Sequence, residues 1–358
     1  MSEPLTARDE EEALEKLHAM GCTDGLPVVI PTRERVERMI LSTGQDGDML
    51  LGEMGPGKGL ATIEKIATAA VMAGCLPDYM PVVIAAAQAV IDPRFDLTEM
   101  QATTHCTAPL IIVNGPARES CGGIASGFGA LGPGHRANAS IGRALRLAMI
   151  NIGGGRPGEA DMALLGHPGK FTYCLAENEE VSPFDPLHVA RGFEREDSVV
   201  TVIGAEAPHS IIFNGDADDP DSYKSLLRQV ALGLSHLGTN NAILRGGAAV
   251  AVFNPDHANV LARAGLSYQD IQQQLYELCA NKFGDIKRQV PAFAKRSNAS
   301  DDELIYAFNA PEDILLLVAG GTGLYTMVMP SWCAGPHQNS AVSIKVDLDQ
   351  FCEIPGAN

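Results

Sequence analysis

The order of apolar and polar residues divides the chain into helical and extended segments. Residues 8–20 carry an acidic, amphipathic pattern that predicts a surface helix, and residues 33–41 predict a second one. Between them, CTDGLPVVIPT sets Asp24-Gly25 beside two prolines, the signature of a tight turn into a short extended segment. Residues 60–74 have helical periodicity closed by Gly74, and 81–91 read as an Ala-rich buried helix stopped by Asp92-Pro93. Four β-rich runs follow, at 109–116, 198–208, 248–257 and 313–323. Each is continuous and apolar and is bounded by turn residues, which suits strands buried on both faces. Helical segments at 138–150, 221–236 and 267–282 are long enough to cross between strands, and AVSIKVDL near the C-terminus reads as an edge strand. The expected fold is α/β, with a largely parallel or mixed sheet and crossover helices. A chain of 358 residues has room for two intimately packed α/β domains, expected at 101–215 and 216–358, with 1–100 a helical region packed on the first.

Composition narrows the partners. Lys plus Arg number 26 against 44 Asp plus Glu, a net charge of −18, and no basic run offers a footprint for nucleic acid or an anionic membrane. The apolar stretch 61–91 is interrupted by Pro77, Asp78 and Pro81, so no transmembrane span is expected. The acidic N-terminus lacks the pattern of a secretory signal, and a cytoplasmic location is expected. Eight cysteines, at 22, 75, 106, 121, 174, 279, 333 and 352, contain no C-x-x-C pair, so neither a disulfide framework nor a structural zinc site is expected. Cys75, Cys174 and Cys279 read as small buried hydrophobes, and Cys106, next to His105 on an extended segment, reads the same way.

The pattern breaks down between Gly127 and His188. There, glycines mix with His, Asn, Arg, Lys and Glu, and close backbone approach becomes possible. GFGALG at 127–132 is followed by Pro-Gly rather than a helix, and GPGKG at 55–59 lacks the P-loop spacing, so no nucleotide motif is present. A helix opening near Asn138 or Ser140 behind this loop could hold an anion at its N-terminus, with Arg143 adding a bidentate contact. The competing reading is a capping Asn138 with solvated helix arginines. Strand-end loops add Asn114 and Gly115 to the expected substrate site, and Asn151, Gly153 and Arg191 complete it. GHPGKFTYCLAENEE brings His167 and Lys170 near Glu177 and Glu179, a mixture suited to proton transfer, although an acidic solvated loop is the alternative. A divalent metal held by His167, Glu177 and His188 is a second chemical reading. Cys121, on the loop after Asn114, is the candidate reactive thiol.

Together, CTDGLPVVIPT, GLATIEKIATAAVMAGCLPDYMPVVIAA, LIIVNGP, GPGHRANASIGRALRLAMINIGGGRPG, GHPGKFTYCLAENEEVSP and PEDILLLVAGGTG resemble the bacterial UGSC-like group over nearly the whole chain. That group is named for a selenocysteine- or cysteine-Gly-Ser-Cys motif. The resemblance implies a thiol- or selenol-dependent redox reaction, yet this chain has no Cys-Gly-Ser-Cys, only Cys121-Gly-Gly and Cys333-Ala-Gly. Either a thiol/selenol partner protein carries the motif or the chemistry is not thiol-based. The expected function is therefore an enzyme, or the large subunit of one, acting as a homo-oligomer on a small anionic organic substrate. Its acid-base residues would lie on 167–191 and its key step would be reductive or eliminative. A metal-dependent hydrolase or lyase and a non-catalytic subunit are the alternatives.

Overall fold

Local signals set the first helices. Asp9 accepts a hydrogen bond from the Glu12 amide and opens Glu10–Ala19; Thr32 and Thr62 cap Arg33–Thr43 and Ile63–Ala73 in the same way. The latter two helices end on the left-handed glycines Gly44 and Gly74. The structure, a computed structural model, describes residues 4–215, 219–294 and 298–350, so Cys352 lies outside the described residues.

Twelve short strands form among the described residues. β1 (Leu50–Met54) and β2 (Gly59–Thr62) make a hairpin, and β8 (Ala280–Lys282) and β9 (Leu304–Tyr306) pair antiparallel as a second small unit. The others build two four-stranded sheets. The first contains β3 (Ala108–Asn114), β4 (Cys174–Ala176), β5 (Ser198–Ala205) and β12 (Val342–Val346), in the order β12-β5-β3-β4. The second contains β6 (His209–Ile212), β7 (Ala249–Phe253), β10 (Ile314–Val318) and β11 (Tyr325–Met329), in the order β10-β7-β11-β6. Both are mixed: β3 runs parallel to β4 and β7 to β10, while the remaining pairings are antiparallel.

The period-two alternation of these strands sorts their side chains into separate cores. Ile111, Val113, Val200 and Val202 join the core under helices Ile63–Ala73, Met80–Ile91 and Arg136–Asn151. Leu110, Ile112, Ile203 and Ala205 point the other way and meet Val250, Val252, Leu315 and Leu317 of the second sheet. The opposite face of that sheet, with Ala251, Phe253, Leu316 and Val318, packs on helices Ser222–Ser235, Pro255–Arg263 and Tyr268–Leu278. The result is four layers, helices, sheet, sheet and helices, which explains the continuous apolar runs: both faces of the central strands are covered.

The sheets do not follow a division at residue 215. β6 precedes that point but belongs to the second sheet, and β12 returns from the C-terminal half to edge the first. Among the described residues, no helix is long and apolar enough to cross a membrane.

Candidate functional site

Helix Arg136–Asn151 is the main support of a cleft of about 630 Å³. Its C-terminal half supplies Arg146 and Ile150, the loop after it supplies Gly155, Arg156 and Asp161, and the turn Pro168–Lys170 supplies Lys170, with His167 just before it. The segment Gly21–Gly25 forms the facing wall.

Charged side chains are packed closely on the floor. Lys170 Nζ donates to both Asp161 carboxylate oxygens, at 2.7 and 2.9 Å, and Arg146 Nη1 lies 3.5 Å from the same carboxylate. Burial lowers the Lys170 pKa, as does the neighbouring Arg146 cation, with the contacts to Asp161 opposing them. Arg146 is buried, and desolvation lowers its pKa too. His167 Nδ1 accepts a hydrogen bond from the Gly169 amide at 3.1 Å, so in the neutral ring Nε2 carries the proton. Burial depresses His167 to about pKa 4, which the nearby Ala205 backbone only partly offsets. Imidazole, not imidazolium, faces the cleft at neutral pH.

Three donors in this region lack a well-formed hydrogen bond: Arg146 Nη2, Gln101 Nε2 and His167 Nε2, which has the Ala205 backbone nearby. Gln101 lies behind the floor, its Oε1 3.4 Å from Arg146 Nη1, and a Cβ added at Gly155 would stand 2.1 Å from its Nε2. Glycine at 155 is what lets the backbone pass this amide. Buried donors are nearly always satisfied in folded proteins, so Arg146 Nη2 and His167 Nε2 beside the cleft, with Gln101 Nε2 behind its floor, are exceptions.

The anion site expected at the start of this helix does not form there. Asn138 spends its side chain on Ala125 N–H and on the carbonyls of Ala125, Ala130 and Cys174, tying the glycine-rich loop to the strand before it would meet any ligand. Arg143 makes a bidentate ion pair with Asp24, at 2.7 and 2.8 Å, and also donates to the Leu26 and Pro27 carbonyls. Asn151 donates to the Cys22 carbonyl at 2.9 Å. Arg143 and Asn151 thus hold the facing wall in place. Gly153 sits so close to the β1–β2 hairpin that an added Cβ would lie 2.4 Å from the Gly55 carbonyl oxygen, a packing role. Arg143→Ala is expected to release the wall while leaving the cores intact. Hydrogen exchange of the amides from Cys22 to Leu26 should rise at least tenfold, and unchanged protection there would remove the latch role.

Glu177 and Glu179 belong to a different place. His167 precedes β4 and Glu177 follows it, so the two lie beyond opposite ends of that strand. Glu177 is 1% exposed; its Oε2 accepts from Asn114 Nδ2 at 2.7 Å and Leu187 N at 2.8 Å, and its Oε1 from Val318 N at 3.3 Å. Burial raises its pKa to about 7, the charge of Glu179 adding to the shift while the hydrogen-bond donors oppose it. Glu179 accepts from Asn114 and the Gly115 amide and pairs with Arg118, which also engages Glu180. A hollow beside Glu177 measures about 10 Å³, room for about one water. This network joins β3, β4 and β10; it does not line the cleft.

The expected metal ligands are not gathered either. His188 is buried, with Nε2 against the Arg195 carbonyl, and among the described residues no group of three His, Cys, Asp or Glu side chains could hold a metal ion. Arg191 donates to Ser343 Oγ and to the Ala341 carbonyl, fastening the approach to β12. Cys121 is 1% exposed, and burial pushes its thiol up to about pKa 12, so it is not a thiolate at neutral pH. Cys106 is only half-buried and close enough to Lys170 to raise the pKa of that amine.

Of the expected residues, then, His167 and Lys170 meet in the cleft, with Arg143 and Asn151 bracing its wall. Arg146, Asp161 and Gln101 were not singled out by pattern. A signal existed for Arg146: its i−4 and i+4 neighbours, Gly142 and Ile150, are both buried, so it interrupts an apolar helical face. No family model, curated protein or solved structure matches the chain.

Proposed function

We propose that the chain is an enzyme, or the large subunit of one, that acts on a small organic anion in the Arg146–His167–Lys170 cleft by acid-base chemistry. The observation that carries this reading is the set of buried, unpartnered donors beside Lys170. In a protein of net charge −18, a cationic floor of this kind selects for an anion by local charge, since the long-range field repels one. Arg146 and the His167 Nε2–H hold the substrate carboxylate and the negative charge that grows on it as the adjacent carbon loses a proton. Lys170 in its neutral form takes that proton; the lowering of its pKa by burial and by Arg146 makes this form accessible. The same proton returned to a leaving group completes an elimination. A thiol-linked step, as the UGSC-like resemblance implies, would fall to Cys106 rather than to the enclosed Cys121.

Proton transfer is tested directly by incubating the protein in D₂O with a panel of substituted carboxylates and following loss of the C–H signal next to the carboxylate by proton NMR. Exchange is expected in the wild type, rising with pH through a pKa below the ordinary lysine range, and absent in Lys170→Met. Carboxylates that bind with no exchange and no turnover would instead make this chain a binding subunit.

A further inference from the structure

The mouth of the cleft differs in chemistry from its floor. Leu165 lines it yet is 97% exposed, Leu164 beside it is 81% exposed, and Phe171 lines it from the end of the Pro168–Lys170 turn with nearly half its surface in solvent. Met20 and Leu26, next to the Gly21–Gly25 wall in the chain, are also exposed. Leu165 and Phe171 at the mouth and Ile150 within give the cleft an apolar side suited to an apolar group of a bound molecule.

The floor specifies the other end of that molecule. With Lys170 protonated and His167 neutral, as the floor stands before any proton is taken, Arg146 and Lys170 face a single carboxylate, Asp161, leaving one positive charge on the floor. On the facing wall, Asp24 is held by Arg143, and Arg156, which also lines the cleft, donates to the uncharged Gly21 carbonyl, so its charge adds to that of the floor. A volume of about 630 Å³ falls within the range that encloses a whole organic ligand, so a carboxylate seated on the floor leaves most of the cleft to the rest of the molecule.

We infer that the substrate is an amphipathic carboxylate, its carboxylate on Arg146 and His167 and its apolar body against Leu165 and Phe171. This inference rests on the anion reading above and adds the apolar requirement. Ile150, which also lines the cleft, continues the apolar path from the lips towards the floor.

The test is calorimetric titration at fixed ionic strength with acetate, butanoate, hexanoate and octanoate, alongside hexylamine and hexylphosphonate, on the wild type and on the double variant Leu165→Ser, Phe171→Ser. Leu165 is almost wholly in solvent and Phe171 nearly half, and circular dichroism of the variant against the wild type checks that it folds normally. In the wild type, affinity is expected to rise about twofold to fourfold per added methylene, the increment for burying one. The double variant should flatten this rise and leave acetate binding unchanged. Affinity independent of chain length, or a rise that survives in the double variant, overturns the apolar requirement while leaving the anion site standing. Hexylphosphonate binding where hexanoate does not overturns the carboxylate as the recognised group. Hexylamine binding as tightly as hexanoate, or no binding by any of the anions, removes the anion site and this inference together.

Discussion

Arg146→Met is expected to weaken carboxylate binding in the cleft by about 10- to 100-fold, the loss produced by removing a hydrogen bond to a charged partner. Its Nη2 is the unpartnered donor with a full charge behind it, and Lys170 already spends two contacts on Asp161. Stability should hold or improve. Asp161 keeps Lys170, and replacing a buried cation by an apolar side chain of similar length removes a desolvation penalty. Arg146→Lys keeps the charge but loses the planar fork, so its binding should fall between the two. Titration with hexanoate, or with acetate if chain length proves irrelevant, measures all three proteins. Equal affinity in wild type and Arg146→Met would return the arginine to a packing role.

Glu177 should yield the largest stability effect. Because its folded pKa is raised to about 7, the folded state holds a proton that the unfolded chain releases near the ordinary value of 4.5. The contribution of this group to stability is therefore greatest below pH 4.5, falls as pH rises between 4.5 and 7, and is flat above. A shift of that size corresponds to about 3 kcal/mol. Glu177→Gln removes the titration and turns an amide NH₂ towards donors from Asn114, Leu187 or Val318, so the variant should be destabilised by about 1 to 3 kcal/mol. Urea unfolding of both proteins at pH 5 and pH 8 checks the sign: the advantage of the wild type over the variant should be larger at pH 5. An equal or larger advantage at pH 8 would show that the carboxylate is held ionised by its three donors and that burial does not dominate.

The layered fold was largely legible because burial on both faces leaves a plain mark in sequence. The runs that became β3, β5, β7 and β10 are apolar at nearly every position, and the helices at 33–43, 80–91 and 222–235 show clear periodicity or stop signals. Strand sense was not legible. Antiparallel pairing of β3 with β5 puts the loops after Val113 and Ile203 at opposite ends of the sheet, so a rule that gathers ligands at the carboxyl ends of parallel strands could not locate one site. β4 escaped notice because three residues carry no periodicity.

The site was legible by composition and not by role. His167 and Lys170 stood out as reactive types in a glycine-rich stretch, and they do meet. Asp161 lies in a loop with no distinguishing pattern, and its partners Arg146 and Lys170 are brought to it only when the long helix and the following turn pack together. Glu177 and Glu179 look like acid-base candidates in any sequence; their burial beneath Asn114, Leu187 and Val318 depends on contacts from distant segments. Arg143 and Arg146 are three residues apart on one helix, yet the short Gly21–Pro27 segment claims one as a brace and leaves the other facing the cleft.

The return of β12 to the first sheet governs the order in which this molecule can be completed. β5, buried along its whole length, has β3 on one side and only β12 on the other. A nascent chain that has emerged as far as the second sheet still carries β5 as an open apolar edge, the kind of edge that recruits strands from other molecules. The first sheet therefore waits for β12 before it is sealed, and Arg191, reaching from the middle of the chain to Ala341 and Ser343, is one side chain that receives it.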